Sequence, residues 1–93
     1  MSTAHNFSYK GDLLDRITKL RKRDPTTYDI LLKKMNEIVE SGNLEHYKNL
    51  REPLQHLKRV HVRGPFVLTF RFVEEENKIV FYDLDHHDHI YLH

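Results

Sequence analysis

The chain has no cysteine. That excludes a disulfide scaffold and a thiolate-ligated zinc site, and it fits a reducing compartment. No apolar run approaches the ~20 residues needed to span a bilayer, and residues 1–10 lack the apolar core of a secretion signal. The expectation is a cytoplasmic protein with no membrane attachment. A glycine-rich phosphate loop, a nucleophile elbow and an HExxH helix are all missing, so the motif-borne routes to nucleotide binding, serine hydrolysis and zinc peptidase chemistry fall away. There are no repeats and no low-complexity tracts.

What is present is a short, highly charged chain. Its 93 residues make one domain, 1–93. At this size roughly 60–65% of the unfolded chain's surface is buried, enough for one modest core. Apolar residues are 39% and aromatics 11%, which is not a disordered composition. The net charge of +1 hides an asymmetry. Residues 1–64 carry thirteen Lys/Arg against eight Asp/Glu, a net of +5, and residues 65–93 carry two against six, a net of −4. Such a split suits a polyanion-facing region, although mixed charge on a solvated face gives the same numbers. Of eight histidines, four (His86, His87, His89 and His93) fall in the last eight residues.

Periodicity orders the chain. Residues 5–9 alternate as a short strand does, and Lys10-Gly11-Asp12 breaks it, with Asp12 a fair N-cap. Leu13, Leu14, Ile17 and Leu20 follow at helical spacing, and Lys19 to Arg23 places cations at that helix's negative end. This basic run reads as a solvated helix end or, alternatively, as an RNA or ribosome contact. Asp24-Pro25 opens a second helix, striped by Tyr28, Leu31, Leu32, Met35, Ile38 and Val39 and ended by Gly42. Two helices so close in sequence form an antiparallel hairpin. Residues 43–56 are irregular, with Tyr47, Leu50 and Leu54 as core anchors. From Leu57 the period is two, with Val60 and Val62 on one face and Arg59, His61 and Arg63 on the other. Gly64-Pro65 is a turn. Phe66 to Val73 and Lys78 to Leu84 form a hairpin through Glu74–Asn77, with Phe66, Leu68, Phe70 and Phe72 in the core. The order is β-α-α-β-β-β, an α+β fold with the helices on one face of an antiparallel sheet. Its other face, partly open, is where a site belongs.

On that face lie arginines and a histidine, and the last strand brings His86 and His87 to its rim. Imidazole titrates near neutrality, so one ring can accept a proton while another donates one. Metal-free RNA cleavage needs that pair. One group takes the 2′-hydroxyl proton, another protonates the leaving 5′-oxygen, and cations stabilise the phosphorane. Lys58, Arg59 and Arg63 are candidate phosphate partners, and Tyr91 is a candidate stacking ring. The plain alternative is that Arg-Val-His-Val-Arg is simply a half-exposed strand. Residues 85–89, Asp-His-His-Asp-His, have transition-metal donors, but their spacing matches no structural zinc motif. No cofactor is expected.

The element order and these motifs resemble the RelE/ParE toxin superfamily. Leu57 to Val62, a turn, then Phe66 to Phe72 look like that family's central strands. A histidine at position 61 with a C-terminal His87-Asp88-His89-Ile90-Tyr91 is similar to the YafQ-type branch. The likeness is strongest from Lys48 to Tyr91, about half the chain. It implies a RelE-like (microbial ribonuclease-like) fold and the toxin of a type II toxin–antitoxin system. The implied activity is a ribosome-dependent mRNA endonuclease (an mRNA interferase) cutting by metal-free 2′-hydroxyl attack. It implies His61 and His87 as acid/base partners, Arg59 and Tyr91 beside them, and Lys58, Arg63, His86 and Asp88 along the RNA. The implied partners are mRNA on the ribosome and a cognate antitoxin, forming a hetero-oligomer. The arginine that many RelE members carry after the turn is absent from Phe66-Val67-Leu68, and the tail has histidine and aspartate where RelE has arginine. Asp85 and Asp88 offset the positive site or orient its histidines. The alternatives are a noncatalytic ParE-like toxin or RelE-fold binding protein, and a metal-binding adaptor using the histidine tail.

Overall fold

The structure is a computed structural model and describes residues 4–86. The order is β1 (Asn6–Tyr9), α1 (Leu13–Arg23), α2 (Pro25–Glu40), β2 (Lys58–Arg63), β3 (Phe66–Val73), a single 3₁₀ turn (Glu74–Glu76) and β4 (Lys78–His86). The expected α+β order is therefore present. The four strands form one sheet in the order β1-β4-β3-β2. β2, β3 and β4 are an antiparallel meander, but β1 joins β4 in parallel, from Asn6↔Lys78 to Tyr9↔Phe81. The sheet is thus mixed where strand alternation implied an antiparallel one. Alternation fixes which face a side chain takes and is silent on strand direction. Direction is set here by the long crossover through α1, α2 and the meander, the kind of connection a parallel pair requires.

The boundary between the helices follows the local chemistry. Asp24 accepts from the Thr27 amide at 3.1 Å and from the Thr27 hydroxyl at 2.6 Å, and Pro25 occupies the first position of α2. These bonds hold the Asp24 carboxyl below its ordinary range, the side-chain bond most, with the nearby Arg63 charge adding to the effect. Asp12, by contrast, makes no side-chain cap bond. Gly42 is not the stop of α2. The helix ends at Glu40, and Ser41 follows in an extended conformation, so no left-handed residue is needed there.

One core lies between the helices and the sheet. Leu13 and Ile17 of α1 and Leu31, Met35 and Ile38 of α2 pack on Val62, Leu68, Phe70, Ile79 and Phe81. Leu14 and Leu32, spaced for the apolar stripes, remain exposed at 49% and 40%, because each stripe buries only the residues that meet the sheet. Tyr47 closes this core, its ring centroid 5.5 Å from that of Phe70. A second, smaller cluster forms on the other face, where Leu50 and Leu57 bury Val67, with Leu54 and Tyr82 beside them. The irregular segment before β2 is therefore a partial cover for the sheet's second face. Among the described residues no helix is long and apolar enough to cross a membrane.

Candidate functional site

Strand register builds the sheet's second face row by row. Arg59 is paired with Thr69, and Thr69 with Asp83. His61 is paired with Val67, and Val67 with Asp85. Directly paired residues share a face. Arg59 and His61 thus stand on β2 opposite Asp83 and Asp85 on β4, two strand spacings or about 10 Å away. His61 is exposed. Its Nε2 donates to the Gly64 carbonyl at 2.7 Å. A carbonyl only accepts, so Nε2 carries the hydrogen and Nδ1 of the neutral ring is left as the acceptor. Gly64 has φ +55°, a left-handed conformation that glycine adopts without strain, and this turn aims the carbonyl at the ring.

Arg63 does not join this row. The register slips between His61 and Arg63, and Arg63 pairs with Phe66, a residue packed on the main core. The extra residue turns Arg63 to the helix side, where its guanidinium lies 3.9 Å from the Asp24 carboxylate. A strict period of two, which put Arg63 beside Arg59 and His61, fails at this bulge. His86 also pairs with Phe66, so it falls on the helix side of the sheet rather than with His61. Lys58 pairs with Phe70, and its ammonium donates to Tyr47 O and Asn49 Oδ1, each at 3.2 Å. It fastens the preceding segment and is not part of the face carrying Arg59. His87, Asp88 and Tyr91 lie outside the described residues, as does most of the histidine-rich alternative. Among the described residues, no group of three or more His, Cys, Asp or Glu side chains is placed to hold a metal ion.

Two participants were not expected. β1 covers β4 only as far as Phe81. Beyond that point β4 is met by Arg16 of α1. One guanidinium nitrogen donates to Asp83 Oδ1 at 2.6 Å and the other to the Leu84 carbonyl. The hydrogen bond to Asp83 pushes the Arg16 pKa above its ordinary value, against a smaller opposing effect of burial. Lys10 is the second, its ammonium 4.3 Å from the centre of the Tyr82 ring. A bulge in β4 explains the ring's position. Thr69 pairs with Asp83 but Phe70 with Phe81, so Tyr82 is the extra residue and joins the second-face cluster. Arg16 and Asp83 are 67 positions apart. No one-dimensional signal links them, and Arg16 reads simply as a polar residue on the outer side of a helix.

No family model matches the chain. It is 51% identical over 79 residues to a Methanocaldococcus jannaschii protein named as the toxin RelE4, an alignment covering 84% of this chain and 82% of that protein. In structure it is similar to a chain of the E. coli RelBE toxin–antitoxin complex, with a TM-score of 0.71 and 19% identity over 89% of this chain and 96% of the other. It is also similar to YafQ from E. coli, with a TM-score of 0.65 and 14% identity over 94% and 98%. At such identities the two structural matches speak for a shared fold.

Proposed function

The chain belongs to the RelE toxin family, and from that premise we propose that it is the toxin of a toxin–antitoxin pair and a cytoplasmic, ribosome-dependent mRNA endonuclease. The observation that carries this reading is His61. It stands exposed on the sheet's second face, two residues along β2 from Arg59, with Nε2 committed to Gly64 O and Nδ1 left as a proton acceptor.

In the proposed reaction Nδ1 of His61 takes the proton of a ribose 2′-hydroxyl. The 2′-oxygen attacks the adjacent phosphorus and the bond to the 5′-oxygen breaks. His87, protonated, gives its proton to that departing oxygen. The products are a 2′,3′-cyclic phosphate and a 5′-hydroxyl, so protons and bonds balance. Arg59 neutralises the charge that grows on the phosphorane oxygens, the interaction that gains most in the transition state. Tyr91 stacks on a base of the mRNA. The antitoxin, by analogy with the pairing named for the E. coli complex, covers this face with an acidic segment complementary to Arg59 and His61.

The test is an mRNA in a programmed ribosome whose nucleotide 5′ to the cut has 2′-deoxyribose. The reading expects the ribose substrate to be cut and the deoxy substrate to stay whole. Equal cutting of both eliminates 2′-hydroxyl attack. Growth inhibition with no cleavage at all favours the noncatalytic reading, in which the same face only binds.

A further inference from the structure

β2 is an outermost strand of the sheet, and the bulge between His61 and Arg63 sends these two side chains to opposite faces. On the helix side this end of β2 meets a basic corner. The Arg63 guanidinium lies 3.9 Å from the Asp24 carboxylate, and Asp24 directly follows Arg21, Lys22 and Arg23, the last residues of α1. All four cations are exposed. With Asp24 they make a net of +3, whereas the whole chain carries only +1. We infer that this corner is an RNA-backbone site, and that it holds phosphates of the same strand that is cut at His61, where that strand rounds the outer edge of β2. The inference rests on the nuclease reading and adds the path of the substrate to it.

Three observations carry it. The first is that the cations are available. Among the described residues Arg21, Lys22 and Arg23 make no side-chain ion pair or hydrogen bond. Charge near a helix C-terminus complements the dipole without using up the donors. Arg63 is only loosely held, because its contact with Asp24 is long and half-exposed, and Asp24 already accepts twice from Thr27. A phosphate offers the guanidinium two charge-assisted bonds in its place. The second is residue type. Three of the four cations are arginines, whose planar fork matches phosphate oxygens. The third is position. The turn that follows Arg63 also supplies the Gly64 carbonyl that receives His61 Nε2 at 2.7 Å, so the imidazole and the corner flank one turn. Residues 48–49 cover the outer edge of β2 only at Lys58 and Arg59. Beyond them a strand leaving His61 reaches Arg63 within a few nucleotides. Contacts to phosphates position a strand and read no sequence, so the corner grips whatever message is bound.

The test is fluorescence anisotropy of the full chain with a 2′-O-methyl RNA of about nine nucleotides, within the range of single-strand sites. The methyl group blocks 2′-hydroxyl attack, so the oligomer stays whole. The combined variant Arg21→Ala, Arg23→Ala and Arg63→Ala should weaken binding at least about tenfold at low salt, and the slope of log Kd against log salt should fall by about 2, three phosphate contacts at ~0.7 each. Replacing the same three residues by lysine should keep most of the slope, which separates charge from damage to the fold. Arg59→Ala should weaken the same oligomer, with one oligomer bound per protein. Unchanged affinity and slope in the alanine variant overturn the corner as an RNA site. Poly-glutamate binding it as tightly as RNA overturns it in favour of an acidic protein segment. Two oligomers per protein, one of them indifferent to Arg59→Ala, overturn the shared path. The cleavage assay on the ribosome separates these failures from that of the nuclease reading. A wild-type chain that cuts, with an alanine variant that binds RNA unchanged, removes the corner alone. A wild-type chain that never cuts, with an alanine variant that loses the oligomer, upholds the corner and removes the nuclease.

Discussion

Arg16→Ala isolates what the crossing from α1 to β4 contributes. The Arg16–Asp83 pair is half-exposed, with side-chain exposures of 43% and 40%, so solvent limits the ion pair to about 0.2–1 kcal/mol. The bond to the Leu84 carbonyl adds about 1 kcal/mol, as a net hydrogen bond does. A loss of about 1–2 kcal/mol lowers the melting temperature by roughly 5–15 °C in a domain of this size. The local effect is sharper. Among the described residues the last third of β4 is paired with β3 on one edge only, and Arg16 is the side chain that binds it from the other. Amide hydrogen exchange at Leu84, Asp85 and His86 should accelerate more than at Leu68 and Phe70, because local opening draws on the weakest-held segment first. A misplacement of about 1 Å in a catalytic group can cost on the order of a hundredfold, so mRNA cleavage should fall further than stability does. Arg16→Lys keeps the charge but not the fork and should be intermediate. Unchanged exchange at the end of β4, with an unchanged melting temperature, would refute the clamp.

Arg59→Ala should slow cleavage on the order of 10²–10³-fold, the scale of losing one transition-state charge partner, whereas Lys58→Ala, next in sequence but on the helix side, should change it less than about threefold; single-turnover rates compare them. Asp24→Asn should flatten the acid limb of the stability curve. The folded chain holds that carboxyl below its ordinary value, so its stabilisation is present above the unfolded-state pKa and is lost as pH falls through the folded-state one. Melting temperatures of the two proteins should therefore converge below roughly pH 4. Phe70→Ala empties the centre of the main core, where the ring is fully buried, at a cost of about 3–5 kcal/mol. That is much of a small domain's total stability, and urea unfolding should show a lower midpoint or no folded baseline.

The elements were legible because each follows from local chemistry. Asp24-Pro25 opens α2 as its cap and first-turn residue, Gly64-Pro65 turns the chain between β2 and β3, and the Val60/Val62 alternation puts those two valines on the helix side. One geometric feature of the candidate site was legible too. Arg59 and His61 share the sheet's second face as a period of two requires. What the sequence hides is every departure from regular period and every contact across the fold. One extra residue after His61 sends Arg63 to Asp24, and one in β4 turns Tyr82 onto the leucine cluster of the second face. The direction of β1 is set by the path of the whole chain. The Arg16 clamp joins residues that no pattern relates. Leu50, Leu54 and Leu57 look like ordinary core leucines, and only the structure shows them covering the face opposite the helices.

The most direct test is single-turnover cleavage of ribosome-bound mRNA by the wild-type chain, His61→Ala and His87→Ala, each verified as folded by circular dichroism. Loss of a proton-transfer group should slow cutting by on the order of 10²–10⁴-fold in either variant. A His61→Ala rate within about threefold of wild type would contradict proton transfer by that residue and with it the nuclease site on this face of the sheet.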